Sequence, residues 1–544
     1  MRSSSKAYVY RSKSERTIGH IVEHKALVHG DAPFLYYKDE VHSYRALHEN
    51  SNRVAHSLRS LGVKKGDKVA TMIPNYPEYF YVWWALHKLG AWEVPISGSY
   101  RGASLVDVLN RSDAQLAVIG DGLFLERLSH VQGQLDHIRQ VVVAHRLLDP
   151  APSASGLRWP TCNLVELLNS PSDAVETVVF NHDACMIAYT SGTTGPSKGV
   201  VLTHEFFVHS CENKVKHMGT TQDDVMYNCF PMYNLTGQLE TTFTALMADA
   251  RVAMAEHFDP TTFWDDIRRY QCTEFVSMGG AFPLVEKQPP RPDDRDHPLK
   301  KIYSVPLPHD FEERCAARFG VQMMEVYGQT ECGLTNYRTW DAAKPGSCGP
   351  ANCGYEVKIF DDNDDECPAN VEGEIVVRPS RSHIILKEHY RMPEKLGHRL
   401  RNCWWHTGDL GVMDEDGYLY FRRRKEESIR FRGHFISTTE LEAVVNRHPD
   451  VLECAAYRVP DRLDQEHDVA IAVKLRPGCS PSPEELLAHC ERDLPFYMVP
   501  CYVRWVDAFE LTPTMRIVKK GLEEDGVTTD MWNRRTAGYR LSHE

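Results

Sequence analysis

The sequence predicts an α/β fold, a large N-terminal body of sheets covered by helices followed by a small α+β unit. Three observations carry that expectation. Strand-like and helical stretches alternate through much of the first four hundred residues, the pattern of several parallel strands packed under helices. After Arg430 the pattern gives way to two β-rich runs, Val451 to Val459 and Val469 to Leu475, set among short helical stretches. At 544 residues the chain exceeds the size at which one hydrophobic core keeps growing, so two or more domains are expected.

In chain order, Leu47, Val54, Leu58 and Leu61 recur at helical spacing, with Ser43 as N-cap and Gly62 as the stop. Val69 to Ile73 reads as a buried strand, and Pro77 opens a helix that continues to Leu89. Val94-Pro95-Ile96 begins the next extended piece. The run Gln288 to His297 is too rich in proline and charge for a core element and is expected on the surface. Asp361 to Glu366 reads as an acidic hairpin turn, because it lacks the ligand spacing of a calcium loop. Ser437 with Glu440, or Thr439 with Glu442, forms a capping box for a helix carrying Leu441, Val444 and Val445. Ser482 caps another from Pro483 to Leu494. No repeat of fixed period and no low-complexity tract is present.

Composition removes several function classes. Hydrophobic residues are 42% and charged residues 25% of the chain, the balance of a folded globular protein. The formal net charge of -13 argues against nucleic-acid binding, which needs a broad basic face. The basic run Arg422 to Lys425, followed by Glu426 and Glu427, reads as a solvated turn. The longest apolar stretch, Tyr79 to Leu86, stops at His87 and Lys88, short of the ~20 residues that span a bilayer, so no membrane role is expected. The N-terminus shows no secretory signal. The 15 cysteines lack Cys-x-x-Cys or zinc-like Cys/His spacing and are read as reduced thiols of a cytoplasmic protein.

The stretch Tyr189-Thr190-Ser191-Gly192-Thr193-Thr194-Gly195-Pro196-Ser197-Lys198-Gly199-Val200 carries the most chemistry. Its glycines let backbone approach oxygen atoms closely, hydroxyls and N–H groups donate hydrogen bonds, and Lys198 adds a point charge, so the loop suits phosphate. It is not the Gly-x-x-x-x-Gly-Lys-Ser/Thr loop, because Ser197 precedes the lysine. A flexible linker is the plainer alternative, but the apolar flanks Met186-Ile187-Ala188 and Val200-Val201-Leu202 suggest a loop held between strands.

At this loop the sequence resembles the adenylate-forming superfamily of acyl-CoA synthetases, nonribosomal adenylation domains and luciferases. Further motifs in the same order extend the resemblance over nearly the whole chain. Tyr327-Gly328-Gln329-Thr330-Glu331 resembles Tyr-Gly-x-Thr-Glu, which implies adenine stacking by Tyr327, phosphate contact by Thr330 and magnesium ligation by Glu331. A carboxylate is the hard oxygen ligand that magnesium favours. Thr407-Gly408-Asp409 resembles the segment whose aspartate accepts from ribose hydroxyls, and Arg424 matches an arginine that also touches ribose. Ser304-Val305-Pro306 falls where an adenine-contacting loop lies, with Ser304 in place of the usual glycine. Tyr233, Asn234, Gly279 and Gly280 fall at acyl-pocket positions. Pro196-Ser197-Lys198-Gly199, the Gln288 to His297 loop and the Trp532 to Tyr539 tail place the chain nearest the crotonobetaine/carnitine-CoA ligase-like branch.

Two positions depart from the family pattern. Asn234 stands where histidine is usual, and unlike histidine it does not become cationic near neutral pH. In Thr512-Pro513-Thr514-Met515-Arg516-Ile517, Arg516 takes the place of the family lysine, preserving charge but replacing a compact ammonium with a planar five-donor fork. Lys519 and Lys520 lie close enough in sequence to substitute for it.

The resemblance therefore implies a large multi-sheet adenylate-forming domain, residues 1–426, joined at a hinge residue, Glu427, to a small mobile α+β domain, residues 427–544. It implies ATP and Mg²⁺ as cofactors, with Lys198, Thr330, Glu331 and Arg516 in catalytic positions. The implied reaction is adenylation of a small carboxylic acid with release of pyrophosphate, then transfer to a thiol, coenzyme A foremost. An amine acceptor, as in amide-forming or nitrite-activating diazotising relatives, is the alternative within enzymes. A nucleotide-binding regulator without turnover is the alternative outside them. Neither the acid nor the oligomeric state is specified by the sequence.

Overall fold

The structure, a computed structural model, describes residues 9–150, 156–189, 198–305, 307, 310–340, 344–425, 429–431, 434–436, 438–460, 467–512 and 516–541. Thr190, Ser191, Gly192, Thr193, Thr194, Gly195, Pro306 and the hinge position Glu427 therefore lie outside the described residues. Among the described residues, the N-terminal part holds two eight-stranded sheets and a five-stranded one. The first sheet has parallel neighbours at its centre, such as Lys68–Met72 between Trp92–Pro95 and Leu116–Gly120. Leu116–Gly120 and Gly199–Thr203 are buried at every position, as expected of strands covered on both faces. The second sheet runs from Gly333–Tyr337 through Gln322–Gln329, Lys301–Val305 and Glu274–Met278 to the Pro33–Tyr37 edge hairpin.

Between these sheets lies the helix Pro77–Leu89, with proline in its first turn as the sequence predicts. It is buried at twelve of its thirteen positions, Trp83 and Trp84 included, so it behaves as a core helix covered on every face. One hydrophobic cluster joins it to Val69, Val118 and Met186 of the first sheet and to Leu35, Met226 and Val252 of the second. The helix Tyr44–Ser60 packs alongside and starts where Ser43 accepts a 3.1 Å hydrogen bond from the Ala46 N–H.

The third sheet orders Tyr355–Phe360, Gly373–Pro379 and Trp404–Met413, with Leu419–Arg424 also pairing to the last of these. The acidic segment between its first two strands turns through an Asp361 N–H to Asp365 carbonyl hydrogen bond of 2.9 Å. The Gln288 to His297 run carries no regular element, but it is pinned rather than loose. Asp294 pairs with Arg318 at 2.7 Å, and His297 stacks on Trp264 with centroids 4.2 Å apart.

A separate core is built from residues between Ile429 and Leu541. Its sheet orders Val451–Pro460, His467–Leu475, Tyr502–Trp505 and Trp532–Asn533 and is joined by the helices Thr438–Val445 and Pro483–Asp493. Ser482 and Glu485 form a reciprocal capping box on the second helix. The first helix already includes Thr439, so Thr439 is not its cap, and Ser437 lies outside the described residues. Lys287 donates to the Leu452 carbonyl and Arg476 donates to the Lys287 carbonyl at 3.1 Å, linking the two parts. All fifteen cysteines are free thiols, and among the described residues no helix is long and apolar enough to cross a membrane.

One buried carboxyl links several of these elements. Glu93, on the Trp92–Pro95 strand, accepts from Thr71 Oγ1 at 2.9 Å, Tyr79 Oη at 2.6 Å and Gln238 Nε2 at 2.9 Å. Burial outweighs these donors and pushes its pKa from the usual 4.5 to about 7. Its raised value means the stabilisation is complete below about pH 4.5 and is lost as pH rises through about 7, because the folded state holds the proton more tightly. Glu93→Gln, which cannot ionise, should gain on the wild type as pH rises from about 5 to about 8. Thermal midpoints of both proteins across that range check it, and a gap independent of pH would contradict the raised pKa.

Candidate active site

Edges of all three N-terminal sheets meet the small domain around a cleft of about 930 Å³. Its wall on the third sheet is organised by Asp409, which is 5% exposed. Tyr327 Oη and Gln329 Nε2 both donate to Asp409 Oδ2 at 2.8 Å, and Arg424 Nε lies 3.7 Å from Oδ1. Burial raises the Asp409 pKa, opposed by Arg424, Tyr327, Gln329 and Arg516. Oδ2 is thus occupied by protein donors, while Oδ1 keeps acceptor capacity toward the cleft, the property a hydroxyl ligand needs. Gln329 is itself aimed by donation to the Thr407 carbonyl at 2.9 Å and by acceptance from the Trp405 indole at 3.3 Å.

Tyr327 and Gly328 lie where the strands Gln322–Gln329 and Gly333–Tyr337 pair with a register shift. A side chain at Gly328 would run into the Gly333 carbonyl, so this turn admits only glycine. Past it, Thr330 and Glu331 line the cleft. Burial disfavours the Glu331 carboxylate, but His389, whose Nε2 is 3.5 Å from Glu331 Oε1, together with backbone donation and Lys198, holds its pKa below the usual range. Lys198 also lines the cleft. His389 reaches this place because the two-residue strand Glu388–His389 pairs with Val200 and Val201, just after Lys198.

Arg516 comes from the small domain. Its loop is closed by the Arg516 N–H donating to Thr512 Oγ1 at 3.0 Å and the Thr512 N–H donating to the Arg516 carbonyl at 2.6 Å. The side chain lines the cleft. Lys519 instead pairs with Glu442 at 2.7 Å and donates to Thr438, and Lys520 pairs with Glu524, so both are engaged within the small domain.

Of the remaining sequence-predicted positions, Tyr233, Asn234 and Val305 line the cleft. Asn234 Oδ1 accepts from the Thr236 N–H at 3.0 Å and caps the helix that follows. Ser304 is buried within its strand, between Ser277 and Glu325. Tyr327 is 4% exposed, its ring against Phe421 and its hydroxyl on Asp409, and is not part of the lining. Gly279 and Gly280 are not part of it either. Gly279 donates to the Val305 carbonyl at 3.0 Å while turning the chain at positive φ into the next helix, and Met278 faces the cleft in their place.

Several lining residues carried no local signal. The short helix Pro393–Arg399 supplies Lys395, His398 and Arg399, and Arg458 comes from the small domain's sheet. With these, the lining holds the cations Lys198, Lys395, Arg399, Arg424, Arg458 and Arg516 against the acids Glu240, Glu331 and Asp409. In a chain of net charge -13, such a concentration focuses positive potential on one cleft and favours an anionic ligand there.

The sequence pattern of the AMP-binding enzyme family matches residues 22–382, and that of the AMP-binding enzyme C-terminal domain matches residues 440–516. The chain belongs to the AMP-binding enzyme family. It is thereby an enzyme of the adenylate-forming ligase class. A crotonobetaine/carnitine–CoA ligase of Salmonella heidelberg (strain SL476) is 30% identical over 488 residues, 88% of this chain and 93% of the relative. The anthranilate CoA ligase AuaEII, solved with anthranoyl-AMP, superposes with a TM-score of 0.83 at 22% identity over 95% of this chain and 98% of that one. The Bacillus subtilis o-succinylbenzoate CoA synthetase solved with ATP and magnesium gives 0.77 at 22% identity, over 92% and 98%. Adenylate-forming enzymes of this kind share the arrangement of a large multi-sheet domain and a smaller C-terminal one.

Tyr327→Phe removes a donor from the buried Asp409 without changing the ring that packs on Phe421. The expected cost is roughly 1–3 kcal/mol of folding stability, measured by denaturant unfolding. Wild-type stability would show that the hydroxyl does not support the carboxylate.

Proposed function

We propose that the enzyme activates a small carboxylic acid with ATP and passes the acyl group to the thiol of coenzyme A. The carboxylate oxygen forms a bond to the α-phosphorus as the bond to pyrophosphate breaks. The thiol sulfur then bonds the acyl carbon as the bond to AMP breaks, and the thiol proton leaves to solvent. The observation that carries this reading is the gathering of Lys198, Glu331, Asp409 and Arg516, from distant parts of the chain, in one cation-rich cleft. The relatives that act as CoA ligases support the choice of acceptor.

In this reading Asp409 Oδ1 and Arg424 take the ribose hydroxyls, Val305 and its strand border the base, and Lys198 with the 190–195 loop holds the phosphates. Arg516 neutralises charge that builds between carboxylate and α-phosphate during adenylation. Glu331 suits a divalent cation, because its pKa is held low and it offers hard oxygen beside Thr330. Bound there, magnesium would share the phosphate charge. Residues 1–426 and 427–544 form the two domains, and rotation about Glu427 withdraws Arg516 so that the thiol can enter.

An amine acceptor is the second reading. Asn234 favours it, because an amide lining the cleft can hydrogen-bond an amine without titrating. Pyrophosphate release across small organic acids and nitrite, with and without coenzyme A or an amine, separates these outcomes when products are identified by mass spectrometry. A thioester supports the first reading and an amide the second. The absence of acid-dependent pyrophosphate release would overturn both.

Arg516→Ala should slow adenylation at least about tenfold, equivalent to ~1.4 kcal/mol of transition-state stabilisation, while transfer from prepared adenylate stays nearly intact. Arg516→Lys should recover part of the rate, whereas Lys519→Ala should leave adenylation near wild type. Rapid-quench measurement of adenylate formation checks all three. Glu331→Gln should raise the magnesium concentration needed for half-maximal pyrophosphate release, and an unchanged requirement would remove Glu331 from the metal site.

A further inference from the structure

Among the described residues, three acidic side chains line the cleft, and the adenylation reading uses two of them, Glu331 and Asp409. The third is Glu240. It sits on the helix Thr236–Phe243, which has π-type hydrogen bonding and follows directly from the Asn234 cap. Its side chain is 13% exposed. Lys214, with a side chain 1% exposed, donates to Glu240 Oε2 at 3.1 Å and also to the Glu240 backbone carbonyl. Tyr303 Oη donates to the same Oε2 at 3.2 Å, and the Lys214 ammonium lies 4.3 Å over the Tyr303 ring.

The pairing of Glu240 withdraws Lys214 fully from water, and adenylation as derived above does not need it. Both donors converge on Oε2. Among the described residues none donates to Oε1, while Glu240 lines the cleft. Leu239, Leu334 and Met278 of the same lining offer no side-chain donor. An acceptor with unused capacity that faces a ligand cleft is satisfied when the ligand brings the missing donor. Lys214 already balances the charge, so the demand is for a directional N–H or O–H rather than for positive charge alone.

We propose that Glu240 is a specificity-determining residue that selects acids carrying a hydroxyl or amino group on the acyl portion, remote from the carboxylate. The proposal rests on the adenylation reading for the identity of the ligand as an acid. A site built to hydrogen-bond such a group rejects the analogue lacking it, because the bound analogue displaces water from the protein acceptor without replacing its hydrogen bond.

The test compares matched acids in ATP–pyrophosphate exchange: benzoate against meta-hydroxybenzoate and meta-aminobenzoate, and butyrate against its γ-hydroxy, γ-amino and γ-trimethylammonio derivatives. Within at least one series, the hydroxy or amino acid should exceed its parent in kcat/KM by about tenfold or more, and the trimethylammonio compound should not. Glu240→Ala alone strands the buried Lys214, so the decisive variant is the double substitution Glu240→Ala with Lys214→Met. It should keep exchange with the parent acid and lose the preference. A wild-type enzyme that exchanges with these acids but shows no preference overturns the proposal and leaves adenylation standing. So does a double variant that keeps the preference, or a preference for the trimethylammonio compound. Exchange with none of the acids counts against adenylation instead, and calorimetric binding then decides the present proposal. Tighter binding of the hydroxy or amino acids by the wild type, abolished in the double variant, upholds it, and equal binding overturns it.

Discussion

The carboxylate of Asp409 ties the second and third sheets together, and the geometry of the cleft depends on it. Tyr327 and Gln329 approach from a strand of the second sheet, while Asp409 and Arg424 belong to paired strands of the third. A buried ion with good partners is close to neutral for stability, but one that loses a partner is expensive. The cluster therefore contributes less to net stability than to registry: the sheets are held where Oδ2 finds both donors. That same registry sets Glu331, two residues beyond Gln329, beside His389 and Lys198. Burial, cation and hydrogen bond then act on each acid differently, raising Asp409 and lowering Glu331 within one cleft.

Features decided within a few residues of chain were legible in the sequence. Ser43 and Ser482 cap helices and Pro77 opens one, because those interactions need only the next turn. The short segments Tyr327 to Glu331 and Thr407 to Asp409 could be named for the same reason, since each keeps its chemistry contiguous. What escaped depends on distant pairing. His389 meets Glu331 only because a two-residue strand adds to the edge beside Val200. Lys395, His398 and Arg399 read as an ordinary charged helix until the fold turns them to the cleft. The hydroxyl of Tyr327 donates to the buried Asp409 and its ring packs on Phe421, contacts with partners more than eighty residues away. Gly279 turns the chain at positive φ, a backbone role that composition alone does not reveal.

Arg516 and Lys519 show how partners sort like charges that the sequence leaves equivalent. Lys519 is engaged by Glu442 and Thr438 inside its own domain, which stabilises the small domain but withholds its charge from the cleft. Arg516 joins its neighbours through its own N–H, which donates to the Thr512 hydroxyl, and its carbonyl, which accepts from the Thr512 N–H, while its side chain lines the cleft. A planar fork so placed can engage two oxygens at once, which an ammonium cannot do with the same directionality.

The helix Thr236–Phe243 has a consequence for how this enzyme could diverge. A π-type turn accommodates one residue more than an α-helical turn, and Gly237 permits the close approach to the Pro231 and Phe230 carbonyls that the widened turn makes here. Deleting a single residue from it would restore α-helical winding while the helix on either side keeps its register, so only side chains within the widened turn would change direction. Glu240 would leave the cleft and a neighbour would take its place, with the phosphate-side residues untouched. A length change of one codon could thus exchange the chemical character of the acyl pocket in a single evolutionary event, where point substitution would have to pass through a stranded lysine.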